Sequence, residues 1–178
     1  MPIRAFTTGG ETSKVSFPRG AVLAAEVAVR MKKDSIPLPA APGFFSGYAD
    51  WAKGGDSAAF FGVPGLADAA VPSRPYESPD LRPYIKGHNP ADPLLSPLLA
   101  DLRGLPPTLN ITGTRDLLLS DTARFHRALL KAGVRSELIV YEAMPHAFWY
   151  QIGTPESQEA LGAMAEFFKR QLDARAKT

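Results

Sequence analysis

The hydrophobic pattern is most regular between Thr108 and His146. Thr108–Thr112 predicts a strand, followed by a loop that opens at Gly113 and carries Asp116. Phe125, Ala128, Leu129 and Ala132 then recur at offsets of 0, 3, 4 and 7, the spacing of one apolar stripe on an amphipathic helix. Gly133 stands where such a helix commonly ends in a left-handed residue. Glu137–Tyr141 predicts a second strand, and the loop after it presents His146. Two strands joined by a helix run parallel through a right-handed crossover, so both loops open at the C-terminal edge of one sheet.

The flanking pattern is consistent with an α/β fold built on a few-stranded, mainly parallel sheet with helices against it. Met1–Thr12 is polar and Gly-rich and reads as loop, and Lys14–Phe17 as a short strand. From Ala21 to Lys33 strong helix formers follow, with Val22, Ala25 and Val29 on one face and Leu23 and Val27 on another. A helix apolar most of the way round is expected to be largely buried. Pro37 and Pro39 mark its end. The short apolar run Ala40–Ser46 predicts a buried strand, and Ala49–Gly62 is small and polar. Prolines crowd from Pro64 to Pro107. The Tyr and Leu residues among them (Tyr76, Tyr84, Leu94, Leu95, Leu98, Leu99) favour an ordered irregular segment over the sheet edge. A last helix starts with Thr154 as N-cap and Pro155 in the first position, with Leu161, Met164, Phe168 and Leu172 as its predicted stripe.

Composition narrows the function classes. At 178 residues the chain can form one domain with a real core, and 45% apolar with 21% charged residues suits an ordinary globular protein. A formal charge of +2 without a Lys/Arg stripe gives no case for a nucleic-acid partner. The absence of cysteine excludes a disulfide scaffold and a thiol nucleophile. No apolar window approaches the roughly 20 residues of a membrane span, and Met1–Gly10 lacks the pattern of a signal peptide. A cytoplasmic protein without membrane partner is therefore expected. No His/Asp/Glu cluster has metal-ligand spacing and no phosphate-cradling Gly loop occurs, so neither metal nor cofactor is expected.

Asp116 and His146 are the candidate catalytic residues. Each follows a predicted strand, and a carboxylate beside an imidazole is the acid–base half of a nucleophilic triad, here in the order acid then base. Asp116 also suits the positive end of the helix that follows it, and the two roles are compatible. His88 lies in the Pro-rich segment and His126 on a helix face, and both read as structural.

Several segments resemble the hormone-sensitive-lipase-like branch of the α/β-hydrolases. They are Gly20-Ala21-Val22-Leu23-Ala24-Ala25, Pro37-Leu38-Pro39-Ala40-Ala41 and Pro90-Ala91-Asp92-Pro93-Leu94-Leu95-Ser96-Pro97-Leu98. Further along come Gly104-Leu105-Pro106-Pro107-Thr108-Leu109, Gly113-Thr114-Arg115-Asp116-Leu117-Leu118, Ala132-Gly133-Val134 and His146-Ala147-Phe148. The resemblance covers roughly Gly20 to Leu172, so residues 20–178 are expected to form a partial hydrolase domain behind a segment, 1–19, unlike the family. It implies that Asp116 orients His146, which would deprotonate a serine for attack on a small-molecule ester.

Two family parts are missing from the sequence. A His-Gly-Gly-Gly oxyanion loop occurs nowhere. The nucleophile elbow Gly-x-Ser-x-Gly should end at Gly20, but the residues are Ser16-Phe17-Pro18-Arg19-Gly20, with Pro18 in the serine position. Proline offers no nucleophilic oxygen and no backbone N–H. Ser16 lies two residues early, and Ser57 sits in Gly55-Asp56-Ser57-Ala58-Ala59, which matches only the first part of an elbow. The expectation is a truncated carboxylesterase-like chain with absent or weak ester hydrolysis. One alternative is an active short-chain carboxylesterase using Ser57 or Ser16. Another is a non-catalytic homo-oligomer assembled through a sheet edge left unpaired by missing front strands.

Overall fold

The structure, a computed structural model, describes residues 7–8, 11–12, 18–61, 82–151 and 153–177. Strand β1 (Thr7–Thr8) pairs antiparallel with β2 (Glu11–Thr12), a short pairing within a stretch the sequence pattern reads as loop. The predicted strand Lys14–Phe17 and the stretch 62–81 of the Pro-rich segment lie outside the described residues.

The centre of the fold is a parallel sheet in the order β3 (Gly43–Phe45), β4 (Thr108–Arg115), β5 (Ser136–Pro145). Leu109 is aligned with Gly43 on one side and Glu137 on the other, so the three strands run in register toward one edge. The predicted strands are present, and β4 and β5 both extend several residues beyond the predicted ends. Those extra residues belong to the sheet rim, where pairing continues through a bulge into Gly113–Arg115 and Glu142–Pro145, mixed sequence that a hydrophobic pattern does not mark.

Helices cover both faces. Helices α1 (Pro18–Lys33) and α4 (Leu119–Lys131) pack on one side, where Ala21, Ala25, Ala28 and Val29 meet Phe44, Phe125 and Leu129. Helix α5 (Pro155–Arg175) covers the other, where Met164, Phe167 and Phe168 meet Phe45, Leu109 and Ile111. Phe44 and Phe45 are adjacent in sequence and point to opposite layers, as strand pleating requires. Each such side chain removed from water contributes roughly 1.5–3 kcal/mol. All three β3 residues are buried, and among the described residues β3 has a ladder partner, β4, on one side.

Three sequence expectations need correction in detail. Helix α1 starts at Pro18 and buries one broad face, but Leu23 is exposed. It ends at Lys33, ahead of the prolines, with Ser35 in a left-handed conformation. In α5 Thr154 does cap the helix, accepting from Ser157 N–H at 3.3 Å, and Pro155 follows it. Its buried stripe, however, is Ala160, Met164, Phe167, Phe168 and Gln171, while Leu161 faces outward. Gln171 is drawn inside by Arg135, which donates to its side-chain oxygen.

The stretch Ala49–Gly62 holds a short helix, α2 (Ser57–Phe60), and the described part of the Pro-rich segment holds α3 (Arg82–Ile85) and a 3₁₀ turn at Pro97–Leu99. Leu94 and Leu98 pack against the α1/α4 layer and Leu95 against Trp51, Leu117 and Leu118, so this part is ordered as expected. No helix among the described residues is long and apolar enough to cross a membrane.

Candidate active site

Three strand ends lie side by side at the C-terminal edge of the sheet, the edge where open α/β sheets place their ligands. Ser46 follows β3 directly, Asp116 follows β4 and His146 follows β5. Because β4 is the middle strand, Asp116 stands between the other two.

Local sequence brings the two loops together. Gly113 lies where β5 crosses close over β4: a Cβ there would stand 2.0 Å from the carbonyl oxygen of Met144, so only glycine fits. The register shifts between Gly113 and Arg115, and Arg115 aligns with Pro145. Thr114 Oγ1 accepts a 2.7 Å hydrogen bond from Ala143 N–H. Ala143 and Ala147 both have left-handed backbone, with φ of 59° and 56°, and the chain turns His146 inward between them. Beyond it, buried Phe148 and Trp149 anchor a 3₁₀ turn, and Ser157 Oγ holds the Phe148 carbonyl at 2.8 Å.

Asp116 is fully buried, and both its carboxylate oxygens are engaged. Oδ1 lies 2.9 Å from His146 Nδ1 and accepts from Leu118 N–H, also at 2.9 Å. Oδ2 accepts from Thr112 Oγ1 at 2.8 Å and from Ser46 Oγ. Burial by itself would raise the carboxyl's pKa. The hydrogen bond and charge of His146, with the Ser46 and Leu118 donors, outweigh it and hold the group below the ordinary carboxylate value. An ionised Asp116 only accepts, so the neutral form of His146 would carry its proton on Nδ1 and its lone pair on Nε2. The His146 side chain is 10% exposed, and among the described residues no hydroxyl is hydrogen-bonded to Nε2.

The rival serines differ in placement. Ser16 lies outside the described residues. Ser57 is not brought to His146: its Oγ donates to the Leu117 carbonyl at 2.8 Å and accepts from Ser120 N–H at 2.9 Å. Ser57 N–H in turn donates to Ser120 Oγ at 3.0 Å. Ser57 thus satisfies a free donor at the start of α4, a structural task. Gly55 is required beside it, since a Cβ there would stand 2.1 Å from Ser120 Cβ. The carboxylate of Asp121 holds the same loop, accepting from Gly55 N–H at 3.0 Å and Ala49 N–H at 3.4 Å. Its pKa is pushed up to about 6, chiefly by burial. Pro18 opens α1. His126 Nδ1 lies 2.8 Å from Ser136 Oγ at the opposite, N-terminal end of β5, and His88 is exposed.

Sequence reasoning missed Ser46 and Thr112. Ser46 terminates the apolar run read as a strand, so its place at a strand tip was available as a signal. Thr112 lies four residues before Asp116 within a strand, with nothing in its spacing to mark it.

A family model described as the alpha/beta hydrolase fold matches residues 19–150. An acetyl-hydrolase from Streptomyces hygroscopicus is 32% identical over 165 residues, which are 90% of this chain and 52% of that protein. An esterase from Acinetobacter venetianus is 31% identical over 150 residues, 83% of this chain and 48% of that one. Among solved structures, an esterase from the bacterial hormone-sensitive lipase family superposes with a TM-score of 0.75 at 32% identity, covering 86% of this chain and 51% of its own. The esterase E25 does so at 0.73 and 35%, covering 84% and 46%. The chain spans about half the length of the relatives it matches.

Proposed function

This chain belongs to the α/β-hydrolase fold family, and we propose that it carries the acid–base half of an esterase site without an attacking serine, so that it hydrolyses small-molecule esters very weakly or not at all. The observation that carries this reading is the 2.9 Å contact between Asp116 Oδ1 and His146 Nδ1, with no hydroxyl on Nε2 among the described residues.

In a complete triad the imidazole takes the serine proton through Nε2 while the carboxylate steadies the cation that forms. Here Asp116 can hold His146 in the required tautomer, but Pro18 stands where the serine belongs and Ser57 is committed to α4. With no hydroxyl to deprotonate, no acyl-enzyme forms. Triads stripped of one member retain rate through their oxyanion donors, and Pro18 removes a backbone N–H next to the place where such a donor is needed.

The test is hydrolysis of p-nitrophenyl butyrate by the pure protein. The expected rate equals that of His146→Ala and the uncatalysed background. Turnover abolished by His146→Ala overturns the inactive reading, and loss of that turnover in Ser16→Ala or Ser57→Ala would identify the nucleophile.

A further inference from the structure

We infer that Ser46 is a positioning residue for the acid–base pair: with Thr112 it pins the outer oxygen of the Asp116 carboxylate, keeping the inner one turned toward His146 and fixing the imidazole as the Nδ1–H tautomer. The inference deepens the proposed function and rests on its assignment of Asp116 and His146.

The topology supplies the first part of the argument. Ser46 and His146 approach Asp116 from the strands on either side of β4, one on each carboxylate oxygen. A carboxylate bonded on one oxygen alone can swing about its Cβ–Cγ bond. Donors on Oδ2 from Ser46 and Thr112, and on Oδ1 from Leu118 N–H, close off that rotation.

The backbone supplies the second. Ser46 has φ of 46°, a left-handed conformation that costs a residue with a Cβ and costs glycine nothing. The turn is held there by Ser46 N–H, which donates to the Ile111 carbonyl at 2.9 Å, and by α1, since a Cβ on Gly47 would stand 2.6 Å from Ala21 Cβ. A turn that needs a positive φ is met most cheaply by glycine. A buried serine at this position is explained by its hydroxyl, which is spent on Asp116.

The consequence is chemical. If the carboxylate rotates, Nδ1–H loses its fixed acceptor and the proton redistributes to Nε2, so that this nitrogen no longer offers a lone pair to a hydroxyl. Ring nitrogen chemical shifts of histidine-labelled protein, at a pH where the imidazole is neutral, read this tautomer ratio directly. The parent should be the Nδ1–H form and Asp116→Asn should lose that preference. Ser46→Ala and Ser46→Gly both remove the hydroxyl, and the glycine variant relieves the positive φ, so it retains the turn. In both, the Nδ1–H to Nε2–H ratio is expected to fall on the order of tenfold, the scale of one charge-assisted hydrogen bond. Thr112→Ser, which keeps its hydroxyl, should hold the parent ratio. A parent ratio in the Ser46 variants, beside a shifted ratio in Asp116→Asn, overturns the role of Ser46 alone, even if their melting temperatures fall. An unchanged ratio in Asp116→Asn overturns the acid–base reading and this inference with it.

Discussion

At the scale of single residues, the site is governed by how many donors a buried carboxylate can collect. Asp116 is fully buried, and four donors converge on it, two from its own turn (Thr112, Leu118) and two from distant strand ends (Ser46, His146). Asp116→Asn would set an amide N–H₂ against some of those donors, so the variant should lose roughly 3 kcal/mol of unfolding free energy, the scale of breaking a buried ionic pair. Chemical denaturation measures it, and a loss below about 1 kcal/mol would mean that the network is not closed around the aspartate. Ser57 teaches the converse. Its Gly-Asp-Ser context resembles the start of a nucleophile elbow, yet its hydroxyl and N–H are both exchanged with Ser120 and Leu117. A three-residue pattern does not reveal whether the serine's oxygen is free.

At the scale of elements, the site depends on how closely β4 and β5 approach and on which face α5 turns inward. Gly113→Ala forces a methyl group into the Met144 carbonyl, and backbone cannot step aside as a side chain can. A loss of about 3 kcal/mol is expected, together with displacement of the His146 loop. Thermal melting and the His146 ring resonances together test this. The face of α5 gives a sharper contrast. Phe167→Ala, at a buried position beside Phe168, should cost roughly 3–5 kcal/mol. Leu161→Ser, on the outward face, should stay within about 0.5 kcal/mol. Equal losses would contradict the observed stripe and restore the one that apolar spacing predicts.

At the scale of the whole molecule, its buried carboxyls predict an unusual pH dependence of stability. Burial raises the carboxyls of Asp121, to about 6, and of Glu26, which accepts from Trp51 and Tyr84. A raised carboxyl binds its proton more tightly when folded, so stability rises as pH falls through that value and is lower above it. Asp116 has the opposite sign: its contribution is present above the unfolded value of 3.8 and is lost as pH falls further. The melting temperature should therefore climb from pH 7 to about 5 and drop again below about 3.8. Asp121→Asn should flatten much of the climb, and a melting temperature that falls steadily from pH 7 downward would refute the assignment.

Read alone, the sequence determined the parallel β4–α4–β5 unit, the family, and Asp116 and His146 at neighbouring strand tips. Those features follow from local periodicity and from the rule that parallel strands place their exits at one edge. Only the tertiary structure decided that Ser46 and Thr112 close on Asp116, that Ser57 caps α4, and that α5 buries Phe167 in place of Leu161. Ser46 and Ser57 reach partners far along the chain, Thr112 meets Asp116 through the local turn at the end of β4, and the buried face of α5 depends on the helix's rotation against its neighbours; none of these leaves a periodic trace in the order of amino acids.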